Sequence, residues 1–169
     1  MANTYKLISS STVGSGGTAS VTFSSIPATY TDLVVKASLR STGAVGSYRA
    51  TFNGSASGYS ELLLYGDGTS AGSASSSSGT YINWNFNTAG GTSIFANCEF
   101  YIPSYASALQ KSTSAEVVTE NNGTGAQQYL NAALWADTAA ITSITLTMQG
   151  TSPLFAEYST FYLYGIKNS

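Results

Sequence analysis

Eight carboxylates and one thiol are the side chains best suited to acid–base or nucleophilic chemistry in this chain of 169 residues, and it contains no histidine. The acids are Asp32, Glu61, Asp67, Glu99, Glu116, Glu120, Asp137 and Glu157. Cleavage of a glycosidic bond needs two carboxyl groups facing one cleft. Glu116 and Glu120 share one face of an extended segment, but four residues along a strand span about 13 Å at ~3.3 Å per residue, too far to cooperate directly. The sequence leaves pairing of acids across strands open, and solvated surface acids are the simpler expectation. Cys98 shares the apolar parity of its segment with Phe100 and Ile102, where a thiol stays protonated and inert. With no imidazole to take its proton, it lacks the usual activating base. Gly66-Asp67-Gly68 hints at a cation loop, but the residues around it are Thr and Ser rather than further carboxylates. A calcium site needs several more oxygen ligands, so a turn aspartate is expected. The Gly-rich stretches lack a lysine and open no helix, so no phosphate cradle is expected. These residues predict no catalytic site, no cofactor and no metal.

Composition narrows the partners. Six Lys+Arg stand against eight Asp+Glu, giving a net charge of -2 and a pI near 4.8, which argues against nucleic acid. Charged residues are 8% of the chain, against roughly 25–35% of a well-solvated surface. Ser, Thr, Asn and Gln supply the polarity instead, so copies repel each other weakly. That suits packing in an assembly; a Ser/Thr-rich β-protein would show the same bias. The hydrophobic fraction of 43% is too high for a disordered chain. The length fits a single domain, 1–169, around one core. One cysteine allows no internal disulfide, so packing must supply the stability. Neither a basic leader with an apolar run nor the ~20 apolar residues of a membrane span is visible. The expectation is a soluble product made in the cytoplasm, with no membrane partner.

The elements that position these residues read as strands, because apolar and polar residues alternate with period two. Ala19, Val21 and Phe23 form one face of 18–24, and Leu33, Val35, Ala37 and Leu39 one face of 31–40. Tyr48, Ala50 and Phe52 repeat the pattern over 48–53, as do Ile82, Trp84 and Phe86 over 80–86. Ile94, Ala96, Cys98, Phe100 and Ile102 do so over 93–102, and Ile144, Leu146 and Met148 over 141–149. Segments 112–120, 127–136 and 157–166 are also strands, the last apolar on both faces and so central or covered on its outer side. With Tyr5 to Ile8 the count is nine or ten. Turn residues fall between strands at Gly14–Gly17, Ile26-Pro27-Ala28, Gly43–Ser47, Asn53-Gly54 and Asn122-Gly123. Segment 57–65 fits a short helix or a strand equally well. Gly66 to Gly79 reads as a long exposed loop, and a second loop after Pro103 holds Tyr105. The fold class is all-β, an antiparallel β-sandwich of jelly-roll type.

Aromatic residues are the candidates for contact. Trp84 shares a face with Ile82 and Phe86, which predicts core. Tyr129 and Trp135 project opposite to Leu130, Ala132 and Leu134. That side is an outward contact patch, a face covered by a loop of the same chain, or a platform for a sugar ring. Tyr105, on its loop, joins Tyr129 and Trp135 as a candidate partner-contact residue.

Several stretches, taken in order, carry a resemblance. They are Thr4-Tyr5-Lys6-Leu7-Ile8-Ser9-Ser10, the run from Phe23 to Leu33, Phe52-Asn53-Gly54-Ser55, the run from Tyr101 to Ser107, Thr119-Glu120-Asn121-Asn122, Leu134-Trp135 with the run from Ala139 to Ile144, and Tyr162-Leu163-Tyr164-Gly165-Ile166. As a set they resemble small β-rich virion proteins of tailed bacteriophages, across nearly the whole chain. The resemblance implies a non-enzymatic virion protein, either a capsid decoration (cement) protein or a tail component. Its implied partners are itself, as a homotrimer, and the major capsid protein or other virion proteins. Host surface sugar is the partner if it is instead a tail-associated host-binding module. A hydrolase using a carboxylate pair is the third reading. The family offers no catalytic residues to carry over.

Overall fold

The computed structural model describes residues 4–43, 46–86, 93–120, 125–150 and 153–167. Among them are twelve strands and no helix: β1 (Tyr5–Thr12), β2 (Ser20–Phe23), β3 (Asp32–Leu39), β4 (Gly46–Phe52), β5 (Tyr59–Gly66), β6 (Ala71–Gly79), β7 (Ile82–Phe86), β8 (Ala96–Ile102), β9 (Lys111–Glu120), β10 (Ala126–Trp135), β11 (Ile144–Met148) and β12 (Thr160–Ile166). They form an eight-stranded sheet in the order β1-β12-β3-β8-β9-β10-β5-β6 and a four-stranded sheet in the order β2-β11-β4-β7. Every named pairing is antiparallel. Leaving aside β1, β12 and the β9–β10 hairpin, the remaining strands alternate between sheets, except for the paired β5 and β6, in the pattern of two Greek keys, which is jelly-roll connectivity. The hairpin is inserted between β8 and β5, and β12 and β1 extend the other flank.

The two sheets meet through the faces that alternation predicts. Leu33, Val35, Ala37 and Leu39 of β3 and Ala96, Cys98, Phe100 and Ile102 of β8 point inward from the large sheet. Tyr48, Ala50 and Phe52 of β4 and Ile144, Leu146 and Met148 of β11 meet them from the small one. Phe52 is the main aromatic bridge. It stacks on Phe100 (centroids 6.0 Å apart, planes at 6°) and meets the edge of Trp135 at 5.5 Å. Tyr59 stacks on Trp135 at 6.2 Å, and its hydroxyl accepts the Phe52 N–H at 2.8 Å. The Asn53-Gly54 turn follows at once, closed by the Ser55 N–H on the Phe52 carbonyl, with both central residues at positive φ (52° and 69°), as a type I′ turn requires. The Asn53 side chain ties the turn to Thr142, Ser143 and Ala140.

Three expectations change. Twelve strands replace nine or ten. Within segment 57–65, the residues from Tyr59 onward are strand and form most of β5. Residues 66–79 are not a loop: after a tight turn at Asp67–Ser70 they form β6, paired with β5. Alternation could not reveal β6, because solvent reaches both of its faces. The Asn122-Gly123 turn, part of the Gly43–Ser47 turn, and the side chains of Trp84 and Phe86 lie outside the described residues. β12 is internal, between β1 and β3; Phe161 and Leu163 face the core, while Tyr162 and Tyr164 on its other face stay partly open to solvent.

Gly165 of β12 is a point of close approach. The Tyr30 ring lies over it, inside the space a Cβ would take. Gly165→Ala is therefore expected to destabilise the fold by about 1–3 kcal/mol, as overpacking does. In urea unfolding, the cost should shrink sharply in a Tyr30→Ala background, where the obstructing ring is gone.

Candidate binding surface

The outer face of the large sheet is the broadest exposed feature, and strand registers fix its layout. One row across the sheet reads Ser10, Tyr162, Lys36, Glu99, Glu116, Leu130, Leu64, Ser73. The next reads Leu7, Tyr164, Val34, Tyr101, Ser114, Ala132, Leu62, Ser75. Three zones result. A tyrosine zone at β1 and β12 contains Tyr5 edge-on to Tyr164 (6.2 Å) and Tyr162 stacked on Tyr164 (6.4 Å). An apolar zone at the other end holds Leu62, Leu64 and Leu130, exposed by 50%, 49% and 47%, with Val118 beside them.

Between them lie the charges. Glu99 and Glu116 are directly opposed across β8 and β9, an arrangement that costs energy unless each finds a partner. Lys36 Nζ reaches Glu99 at 2.8 Å, and Gln128 Nε2 donates to Glu116 at 2.7 Å. The exposed ion pair contributes at most about 1 kcal/mol, and Glu99 raises the Lys36 pKa. This cross-strand acid pair is the one the sequence left open. It lies on an open sheet face rather than in a cleft, and both carboxylates are already engaged.

A second polar cluster closes the gap between the sheets. Glu61 points inward from β5 and accepts the backbone N–H of Asn83 on β7 at 2.7 Å. Asn131 of β10 donates to the Asn83 carbonyl at 3.1 Å and to Glu61 at 3.3 Å. Gln149 Nε2 donates to the Asn83 side-chain oxygen at 3.0 Å. Burial pushes the Glu61 carboxyl above its ordinary value, and the hydrogen bonds from Asn83 and Asn131 partly oppose it. The cluster satisfies backbone groups of β7 at the margin of the small sheet, which is a structural task.

The chemistry-bearing residues take similar roles. The Asp67 carboxylate accepts from the N–H and hydroxyl groups of Thr69 and Ser70 at 2.7–3.2 Å. These bonds hold its pKa well below normal, and they close the β5–β6 turn with the oxygens a cation would need. Among the described residues no cluster of three or more His, Cys, Asp or Glu could hold a metal. Cys98 is buried; desolvation pushes its thiol up to about 12, and the Tyr48 hydroxyl donates to its sulfur at 2.6 Å. Lys111, which the sequence did not single out, is buried with its ammonium donating to the carbonyls of Ser107 and Leu109. Its only signal is the inward parity it shares with Thr113, Ala115 and Val117.

Of the three candidate contact residues, two belong to the core. Trp135 is 1% exposed and packs against Phe52 and Tyr59. Its parity opposite Leu130 and Leu134 is as expected, but the side it faces is the core: Asn131 and Ala133 lie inward with it, and the leucines lie outward. Tyr105 is fully buried, and its hydroxyl donates to the Pro27 carbonyl, pinning one loop to another. Tyr129 alone stays part-exposed, stacked on Tyr65 at 6.0 Å where the large sheet extends past the small one. The exposed rings among the described residues that the sequence did not nominate are Tyr5, Tyr65, Phe95, Tyr158 and Tyr162. Comparison with protein-family models, curated proteins and solved structures finds no match.

Two measurements check this description. Because the folded pKa of Glu61 is raised, its contribution to stability is greatest below the ordinary carboxyl value of 4.5 and is lost as pH rises through the folded value. Glu61→Gln, which has no proton to lose, should therefore gain in melting temperature relative to the native chain between about pH 4 and about pH 7. Cys98 should resist alkylation at about pH 8 until global unfolding exposes it, so its modification rate should follow the unfolding rate in denaturant.

Proposed function

We propose that this chain is a non-enzymatic structural protein of a tailed-phage particle, a capsid decoration protein that binds the major capsid protein lattice. The observation that carries this reading is the outer face of the eight-stranded sheet: broad, with Glu99 paired to Lys36, Glu116 held by Gln128, and three half-exposed leucines, of which Leu64 and Leu130 line an open depression with Val118. Exposed apolar area of this kind marks contact with another protein. Repetition over a lattice turns modest contacts into firm attachment. The sequence resemblance supports the same assignment, and jelly-roll connectivity is compatible with it. Virion location and assembly in the host cytoplasm follow as parts of the proposal.

A second reading, a tail-associated host-binding module that recognises surface sugar, is favoured by the tyrosine zone of Tyr5, Tyr162 and Tyr164. Aromatic rings with an apolar face and a polar rim suit sugar stacking. Trp135 and Tyr105 would not serve it, since both are buried.

Mass spectrometry of purified particles separates the two. Decoration expects copies in the hundreds, a tail module only a few trimers, and absence from the particle overturns both. Leu64→Thr with Leu130→Thr should cut occupancy on particles at least tenfold while the chain still folds, because both side chains are half exposed and threonine suits a strand. Tyr162→Ala with Tyr164→Ala should leave occupancy unchanged; loss of host polysaccharide binding in that variant would instead favour the second reading.

A further inference from the structure

We propose that β6 is an interface strand, whose free edge pairs antiparallel with β6 of a second copy of this chain. The two sheets have four edges, and three are blunted. β1 carries Lys6 and a register irregularity between Leu7 and Ser9. β2 is only four residues long. β7 is five residues long, and Glu61 and Asn131 occupy the N–H and carbonyl of its Asn83. β6 is nine residues long, and AGSASSSSG holds no charge, no proline and nothing larger than serine. Its one register irregularity lies near Gly79, which leaves Ala71 to Ser76 regular. Unguarded edges of this length present a row of backbone donors and acceptors to another strand. Glycine and serine are weak strand formers, so β6 owes its extended form to β5, helped by the Tyr65 ring lying across Gly72.

A second copy is the occupant that the charge pattern fits. A neutral edge offers no handle to a strongly charged partner, and it opposes no like charges when it meets itself. Pairing centred on Ser73 sets Ser73 against Ser73 and Asp67 against Gly79 of the second copy, so the nearest carboxylates stay apart. A two-fold axis perpendicular to the sheet makes this contact isologous. It also keeps both leucine zones on one side, doubling the face available to a lattice. The pairing itself does not rest on the virion reading.

Light scattering on the full chain tests it. The expected mass at about 100 µM is twice the 17.5 kDa chain. Ser73→Lys with Ser75→Lys, on side chains already exposed, should weaken association at least tenfold with circular dichroism and melting unchanged. Mixing that variant with the Ser73→Glu, Ser75→Glu chain should restore the doubled mass. A single-chain mass, a threefold mass, or a doubled mass insensitive to the lysines each overturns the proposal; threefold closure needs a different, head-to-tail contact. If β6 instead receives a strand from another virion protein, the free chain is monomeric and the lysine variant is lost from particles, which also overturns self-pairing. A single-chain mass alongside hundreds of copies per particle would remove the β6 pairing and leave the decoration reading standing.

Discussion

The contact between Phe52 and the aromatic residues of the large sheet is the constraint on which the rest depends. With a single cysteine, and with no helix and no cluster of metal-ligating side chains among the described residues, the sheets are joined by side-chain packing and by loops that switch from one to the other. Phe52 touches Phe100, Trp135 and Tyr59 at once. Deleting a buried aromatic of this kind typically costs about 3–5 kcal/mol. The Tyr59 hydroxyl that binds the Phe52 backbone fixes the end of β4, and so the turn that follows. Register in one sheet is thus set partly by the other.

The unequal sheets explain which surfaces remain available. Four strands cannot cover eight, so the β5–β6 end extends beyond the sandwich, and Tyr65, Tyr129 and all of β6 retain contact with solvent. The inserted β9–β10 hairpin is what moves β5 and β6 outward from β8. It also supplies Val118 and Leu130 to the apolar zone and Glu116 to the opposed acid pair. One local elaboration of the jelly roll therefore builds most of the candidate surface.

Much of this was legible in the sequence. β8 and β11 alternate, and their buried faces are those expected; in β3 the expected face of Leu33, Val35, Ala37 and Leu39 is buried, but Asp32 and Val34 on the other face are buried as well. β6 was illegible because neither face is buried, so no period is imprinted on it. β10 showed the right parity but the wrong side. Leu130 and Leu134 look like core and lie outward, while Asn131 lies inward because Glu61 and the Asn83 carbonyl satisfy its amide nitrogen. Parity comes from one strand; which side is inside is decided by the opposing sheet. Tyr105 gives the same lesson in a loop, where aromatic type suggested contact and a carbonyl partner accounts for its burial.

The position of β12 has a consequence for how the molecule is made. β12 is the last of the twelve strands to leave the ribosome, yet it lies between β1, the first, and β3. Until it emerges, the flank of β3 has no neighbour on that side, and β1 has no pairing partner within its sheet. β1 therefore stays unpaired, and β3 keeps one open flank, until the other strands have been made, and the large sheet closes only when β12 emerges. Vectorial synthesis thus makes completion of this sheet wait on a pairing between its first strand and its last.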